Sequence, residues 1–97
     1  MTTLKELPIP EIVKKQAPSV ELIRVWHTGN SNYFCVSPNL FKDPAAWGLL
    51  LVDLANHIAN AYEQSSGEDA KEVKKRIKQG LDAEWSSPTD YPMGGLS

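Results

Sequence analysis

Asp53 and His57 stand four residues apart in a stretch with helical apolar spacing, so their side chains can meet on one helix face, with Asn60 a turn further on. A carboxylate that orients an imidazole is part of a general-base arrangement, and the same two groups can ligate a metal. Catalysis would also need a nucleophile within reach and a pocket that excludes water. Tyr33, Cys35 and His27, all from a segment of strand character, could complete such a site. A metal would need a third ligand, and no other His, Cys or carboxylate is spaced to supply one. The plainer reading is a solvated helical ion pair, worth at most ~1 kcal/mol. Asp53, His57 and Asn60 are therefore candidate ligand-binding residues; no catalytic residue, metal or cofactor is assigned.

Cys35 is the single cysteine, which excludes an internal disulfide. In mid-strand it reads as a small buried apolar residue, since reactivity needs surroundings that hold the thiolate. His27, beside a turn, is expected to be exposed. A second chemistry is electrostatic: Lys71, Lys74, Lys75, Arg76 and Lys78 make a basic strip that could touch nucleic-acid phosphates. No aromatic residue interleaves with it. Glu72 within the strip and Glu68, Asp69, Asp82 and Glu84 at its ends offset it, and the chain carries a formal charge of −2. A solvated helix face is the simpler account, and nucleic-acid binding is the third-ranked function.

These residues must be positioned by few elements. A helix over residues 43–64 is marked by Asp43, whose side chain can accept first-turn amide bonds, and by Pro44, whose missing N–H costs nothing there. Around this helix the apolar side chains from Trp47 to Tyr62 fill an arc of roughly 200°, about twice what one covered face needs. It is expected to be covered on two sides, by a sheet and by another helix. Leu40 and Phe41 are placed to staple its first turn. The run Leu49 to Val52 is far too short to cross a bilayer, and no membrane partner is expected.

Ser65-Ser66-Gly67 breaks the pattern, and a second helix over 66–85 starts from loose capping-box matches at Ser65 and Ser66. The short break makes the helices antiparallel. With Ser66 as the pivot, Tyr62 meets Ala70, Ala59 meets Val73, Ala55 meets Ile77, Leu51 meets Leu81, and Trp47 closes the far end on Trp85. Gly80 weakens the second helix by about 1 kcal/mol relative to Ala, which suggests close approach of a neighbouring backbone.

Before the central helix, residues 20–37 read as a β-hairpin. Val20 to Thr28 is rich in β-branched and aromatic residues, Gly29-Asn30-Ser31-Asn32 is a turn by composition, and Tyr33 to Ser37 is the second strand. Such a ribbon is marginal alone and shows open edges. Residues 1–19, with Pro8, Pro10 and Pro18, form an arm that allows a turn or two of helix from Glu11 to Gln16; Leu4, Leu7, Ile9, Ile12 and Val13 would pin it. Residues 86–97 make an extended tail. The 97 residues are expected to be a single α+β domain: arm, antiparallel β-hairpin, then an antiparallel two-helix hairpin packed on the sheet.

Asp43-Pro44-Ala45-Ala46-Trp47-Gly48, then Asp53, His57 and Ala61, then Asp82-Ala83-Glu84-Trp85 with Ser87-Pro88-Thr89-Asp90, resemble the pattern of a bacterial family classed only as a domain of unknown function. The resemblance spans Leu4 to Asp90. It implies a stand-alone α+β domain and no activity, and it does not raise Asp53, His57 or the tryptophans to catalytic roles.

A domain this small gains little more from apolar burial than it loses in chain entropy, and association is one remedy. The over-wide helical arc, the open ribbon edges and the two partly apolar strand faces exceed what one copy can hide. The expected function is a non-enzymatic, self-associating protein-interaction domain, dimeric in the simplest case, with Trp26, Phe34, Leu49 and Val52 as interface candidates and docking of another protein as an addition. The N-terminus lacks the apolar core of a secretion signal, so the cytoplasm is the expected location.

Overall fold

The computed structural model describes residues 3–87. In chain order it contains α1 (Glu11–Lys15), β1 (Ile23–Thr28), β2 (Ser31–Val36), α2 (Ala45–Ser66) and α3 (Ala70–Ser86). This is the α+β order expected, a two-stranded antiparallel hairpin followed by a helical hairpin. Two compact units divide it, residues 1–37 and 38–97.

In the first unit β1 and β2 pair from Ile23 opposite Val36 to Thr28 opposite Ser31. A further bond, Ser37 N–H to the Leu22 carbonyl at 2.9 Å, carries the ladder one pair beyond the strands. The loop is two residues long, with Gly29 at φ 60°. Hairpin turns that follow strand twist need a positive φ at the first loop position, where glycine carries no steric cost. Ser31 and Asn32, loop by composition, are therefore in the strand. Asn32 Oδ1 sits 2.7 Å from His27 Nδ1, directly across the ladder.

The arm is held by charge, where apolar pinning was expected. Leu4 and Leu7 are 74% and 87% exposed, and Ile9, Ile12 and Val13 are exposed too. Glu6 instead reaches Arg24 at 2.9 Å. The correction has a simple cause: a two-stranded ribbon is too narrow to offer a groove deep enough for five aliphatic side chains. α1 is the short helix the prolines allow. Glu11 and Lys14 bridge its single turn at 3.4 Å.

In the second unit the start of α2 follows its sequence signals. Asp43 Oδ1 accepts from Ala45 N–H at 3.0 Å, and Pro44 adopts φ −56°. Phe41 packs edge-on against Trp47, ring centroids 5.2 Å apart and planes at 81°. α2 then runs on through Ser66, because the Ser66 hydroxyl sits 2.9 Å from the Tyr62 carbonyl one turn back and stays within the helix. It stops at Gly67, whose φ of 74° suits a residue without Cβ and whose N–H donates to the Glu63 carbonyl at 3.0 Å.

The cap of α3 is Asp69, not Ser65 or Ser66. Its backbone is extended and its Oδ1 accepts from Lys71 N–H at 3.1 Å. Glu63, in the last turn of α2, accepts from Ala70 N–H at 3.3 Å, so one helix helps cap the other. The two helices pack together. Ala59 is the one buried residue among those described, at 2% exposure, while Ala55, Ala70, Val73 and Ile77 are half-buried. These belong to the expected small-against-large stripe. Its far end is different: Leu51 and Leu81 are each 44% exposed and Trp85 is 76% exposed. Trp47 has Phe41 as its ring partner, which leaves Trp85 largely bare. Gly80 is also corrected. A Cβ built there meets nothing within 4 Å, so no backbone crowds it.

Candidate functional site

Asp53, His57 and Asn60 all lie on α2 and all are exposed. They share the polar side of the helix, yet no hydrogen bond or ion pair joins Asp53 to His57 in the described part of the chain. A base and its orienting group need hydrogen-bond reach, so in this conformation the pair is two separate solvated groups. Among the described residues no three His, Cys, Asp or Glu side chains are grouped to hold a metal ion. No helix there is long and apolar enough to cross a membrane.

Tyr33, Cys35 and His27 lie on the hairpin unit. Cys35 is exposed, against the expectation of burial, because the two-stranded ribbon leaves every residue of β2 accessible. His27 is exposed as expected. Of the four interface candidates Trp26 is half-buried, and Phe34, Leu49 and Val52 are 43%, 71% and 51% exposed. The basic strip is solvated, and two of its members are engaged locally. Lys78 Nζ meets Asp82 Oδ2 at 2.7 Å, and Arg76 donates to Gln79 Oε1 at 3.1 Å.

Sequence reasoning missed Arg24 as the hub of the hairpin unit. Its guanidinium contacts Glu21 Oε2 at 3.2 Å and Glu6 Oε2 at 2.9 Å, and it lies 5.9 Å from the Trp26 ring centroid. The hydrogen bond and charge of Glu21, then Glu6, raise the Arg24 pKa above its already high ordinary value. Alternation along a strand puts residues an odd number apart, such as Glu21 and Arg24, on opposite faces. β1 begins only at Ile23, so Glu21 escapes that rule and turns back to its neighbour. Beside this cluster a groove of about 520 Å³ runs between the arm and β1, lined by Glu6, Leu7, Pro8, Ile23, Arg24 and Trp26 among others. Arg24 is already engaged by two carboxylates there, which leaves it little to offer an anionic ligand.

The second unit offers an apolar surface. On α2, Leu51, Leu54, Ile58 and Tyr62 are 44%, 47%, 37% and 49% exposed. They recur at three- and four-residue spacing, the rule for a stripe along one helix side. Such a stripe is suited to association and holds no group able to do acid, base or nucleophilic work except the Tyr62 hydroxyl.

Residues 6–89 match the family model described as Domain of unknown function (DUF5076). Among solved structures the chain is similar to a protein from the photosynthetic bacterium Rhodopseudomonas palustrus CGA009, provisionally called a pyruvate dehydrogenase. The identity is 33%, the TM-score 0.77, and the match covers 100% of this chain and 99% of the other. No curated protein matches the chain.

Proposed function

From the premise that this chain belongs to the DUF5076 family of domains of unknown function, we propose that it is a small self-associating interaction domain without catalytic activity of its own. The single observation that carries this reading is the burial pattern: among the described residues only Ala59 is buried, while apolar side chains of both units are bare. A domain of this length normally hides well over half of the surface its unfolded chain exposes. Each large apolar side chain taken out of water stabilises by roughly 1.5–3 kcal/mol, so association offers the chain a gain that one copy forgoes.

Support also comes from what the polar groups are doing. Asp53 and His57 are not bonded to each other, and Arg24 is engaged by Glu6 and Glu21. The dehydrogenase name of the Rhodopseudomonas protein is not extended to this chain: the Ser66 hydroxyl does donate to the Glu68 carboxylate at 3.0 Å, but both residues are exposed at the turn between the helices, where water is not excluded. Size-exclusion chromatography with light scattering at micromolar concentration tests the reading. A mass of two or more chains is expected, and a strict monomer over the accessible concentration range defeats it.

A further inference from the structure

The helical hairpin has the form of half a bundle. Two helices packed side by side enclose almost nothing, and here they enclose Ala59 alone. A four-helix arrangement gives every helix two neighbours and an interior made of its inward stripe. The stripe for such an interior is present on α2. Counting about 100° per residue from Trp47, Ala55 and Ala59, among the least exposed residues of the helix, lie near 80° and 120°. Leu54, Ile58, Leu51 and Tyr62 lie within a band from roughly −20° to 60°. With Trp47 they follow a spacing of four, three, four and four, close to the three-and-four alternation by which one helix accepts another's knobs. Leu81 and Trp85 on α3, 44% and 76% exposed, extend the bare apolar surface at the end of the hairpin away from its turn.

We propose that two copies of this chain pair through the α2 stripe about a two-fold axis, closing two helical hairpins into a four-helix bundle with Leu51, Leu54, Ile58 and Tyr62 of each copy inside. Leu81 and Trp85 border the same interface. The proposal rests on the self-associating reading and names the surface that serves it.

Charge and area both select a second copy as the occupant. In a two-fold interface the same patch meets itself, so a charged patch would repel its twin. The stripe carries no side chain that is charged at neutral pH. The remainder of α3 could not serve, because Lys71, Lys74, Lys75, Arg76 and Lys78 would face their own copies. The exposed fractions of the six residues amount to roughly 600 Å² per copy, given that large side chains each present about 150–250 Å². A standard interface takes about 800 Å² from each partner, much of it apolar. The stripe with a modest polar rim reaches that size.

The test replaces Leu54 and Ile58 together, Leu54→Glu and Ile58→Glu, and compares the chain with the parent and with Val20→Glu, which alters a 59% exposed apolar residue outside the stripe. Light scattering gives the mass and circular dichroism the helix content. The expected result is a dimeric parent, a dimeric Val20→Glu chain, and a double variant of half the mass that keeps its helices, its dissociation constant raised about a hundredfold or more. A double variant that stays dimeric overturns the stripe as the interface while leaving self-association standing. A monomeric parent overturns both. Should the double variant lose its helices, spin labels on Ile58→Cys in a Cys35→Ser chain decide the matter. Packed helix axes lie 8–10 Å apart, so the labels must fall within about 20 Å of each other; any larger separation overturns the proposal.

Discussion

The two units of this chain are held together by different physics. The helical hairpin is specified by short-range devices, each visible as a residue type at a position: the Asp43 oxygen on the first amide of α2, glycine at φ 74° where α2 ends, the Asp69 oxygen on α3, and alanines at covered positions of the helix pair. The β-hairpin unit is specified by its two-residue turn and ladder. Its arm hangs on one guanidinium that gathers Glu6 and Glu21 beside Trp26. A buried alanine tolerates little added volume, whereas an exposed ion pair contributes little and weakens with salt. The difference teaches where substitutions should hurt.

The largest effect is expected at Ala59. Ala59→Leu forces extra methyl and methylene groups into the only buried position among the described residues and should cost about 2–3 kcal/mol, read as a drop in the denaturant midpoint at unchanged slope. A cost no larger than that of Val25→Ala, which trims a residue 49% exposed on β1, would erase the contrast between the units. Trp47→Ala comes next. The indole is half-buried against Phe41, so the loss should be about 2 kcal/mol, less than the 3–5 typical of a fully buried ring. Thermal melts followed by the signal of α-helix report it.

A smaller change of opposite sign sharpens the picture. Gly80→Ala adds a methyl where nothing stands within 4 Å and should stabilise α3 by about 1 kcal/mol, raising the melting temperature. A destabilised variant would mean that Gly80 is crowded after all. The smallest effect belongs to Arg24→Gln. It should leave the melt of the helices unchanged while making the segment from Thr3 to Pro10 cut faster in limited proteolysis. The parent should approach the variant's cleavage rate as salt is raised, because the ion pair to Glu6 is solvent-exposed.

Much of the helical unit was legible from its residues. The Asp43-Pro44 start, the Phe41 staple and the stripe of Ala70, Val73 and Ile77 all follow from local rules that need no knowledge of the rest of the chain. The cap of α3 was misplaced by three residues, because Ser66 can cap or bond back to its own helix and only the surrounding geometry chooses. Arg24 was not legible at all. Its partners Glu6 and Glu21 stand 18 and three residues away, and no pattern of type or spacing joins an arm to a strand. The candidate pair Asp53 and His57 was legible as a spacing, yet spacing only permits contact, and no hydrogen bond or ion pair joins the two side chains.

Residue order by itself determined the elements: which stretches are helical, where they begin and end to within a few positions, and which alanines can let two helices approach. Those features depend on interactions between neighbours in the chain. Folding in three dimensions decided what is covered. Phe41 rather than Trp85 meets Trp47, Glu6 reaches Arg24, and the stripe from Leu51 to Tyr62 is left outside the helix pair. Burial is a competition among all surfaces that can reach one another, and its outcome is a property of the packed chain, not of any segment in it.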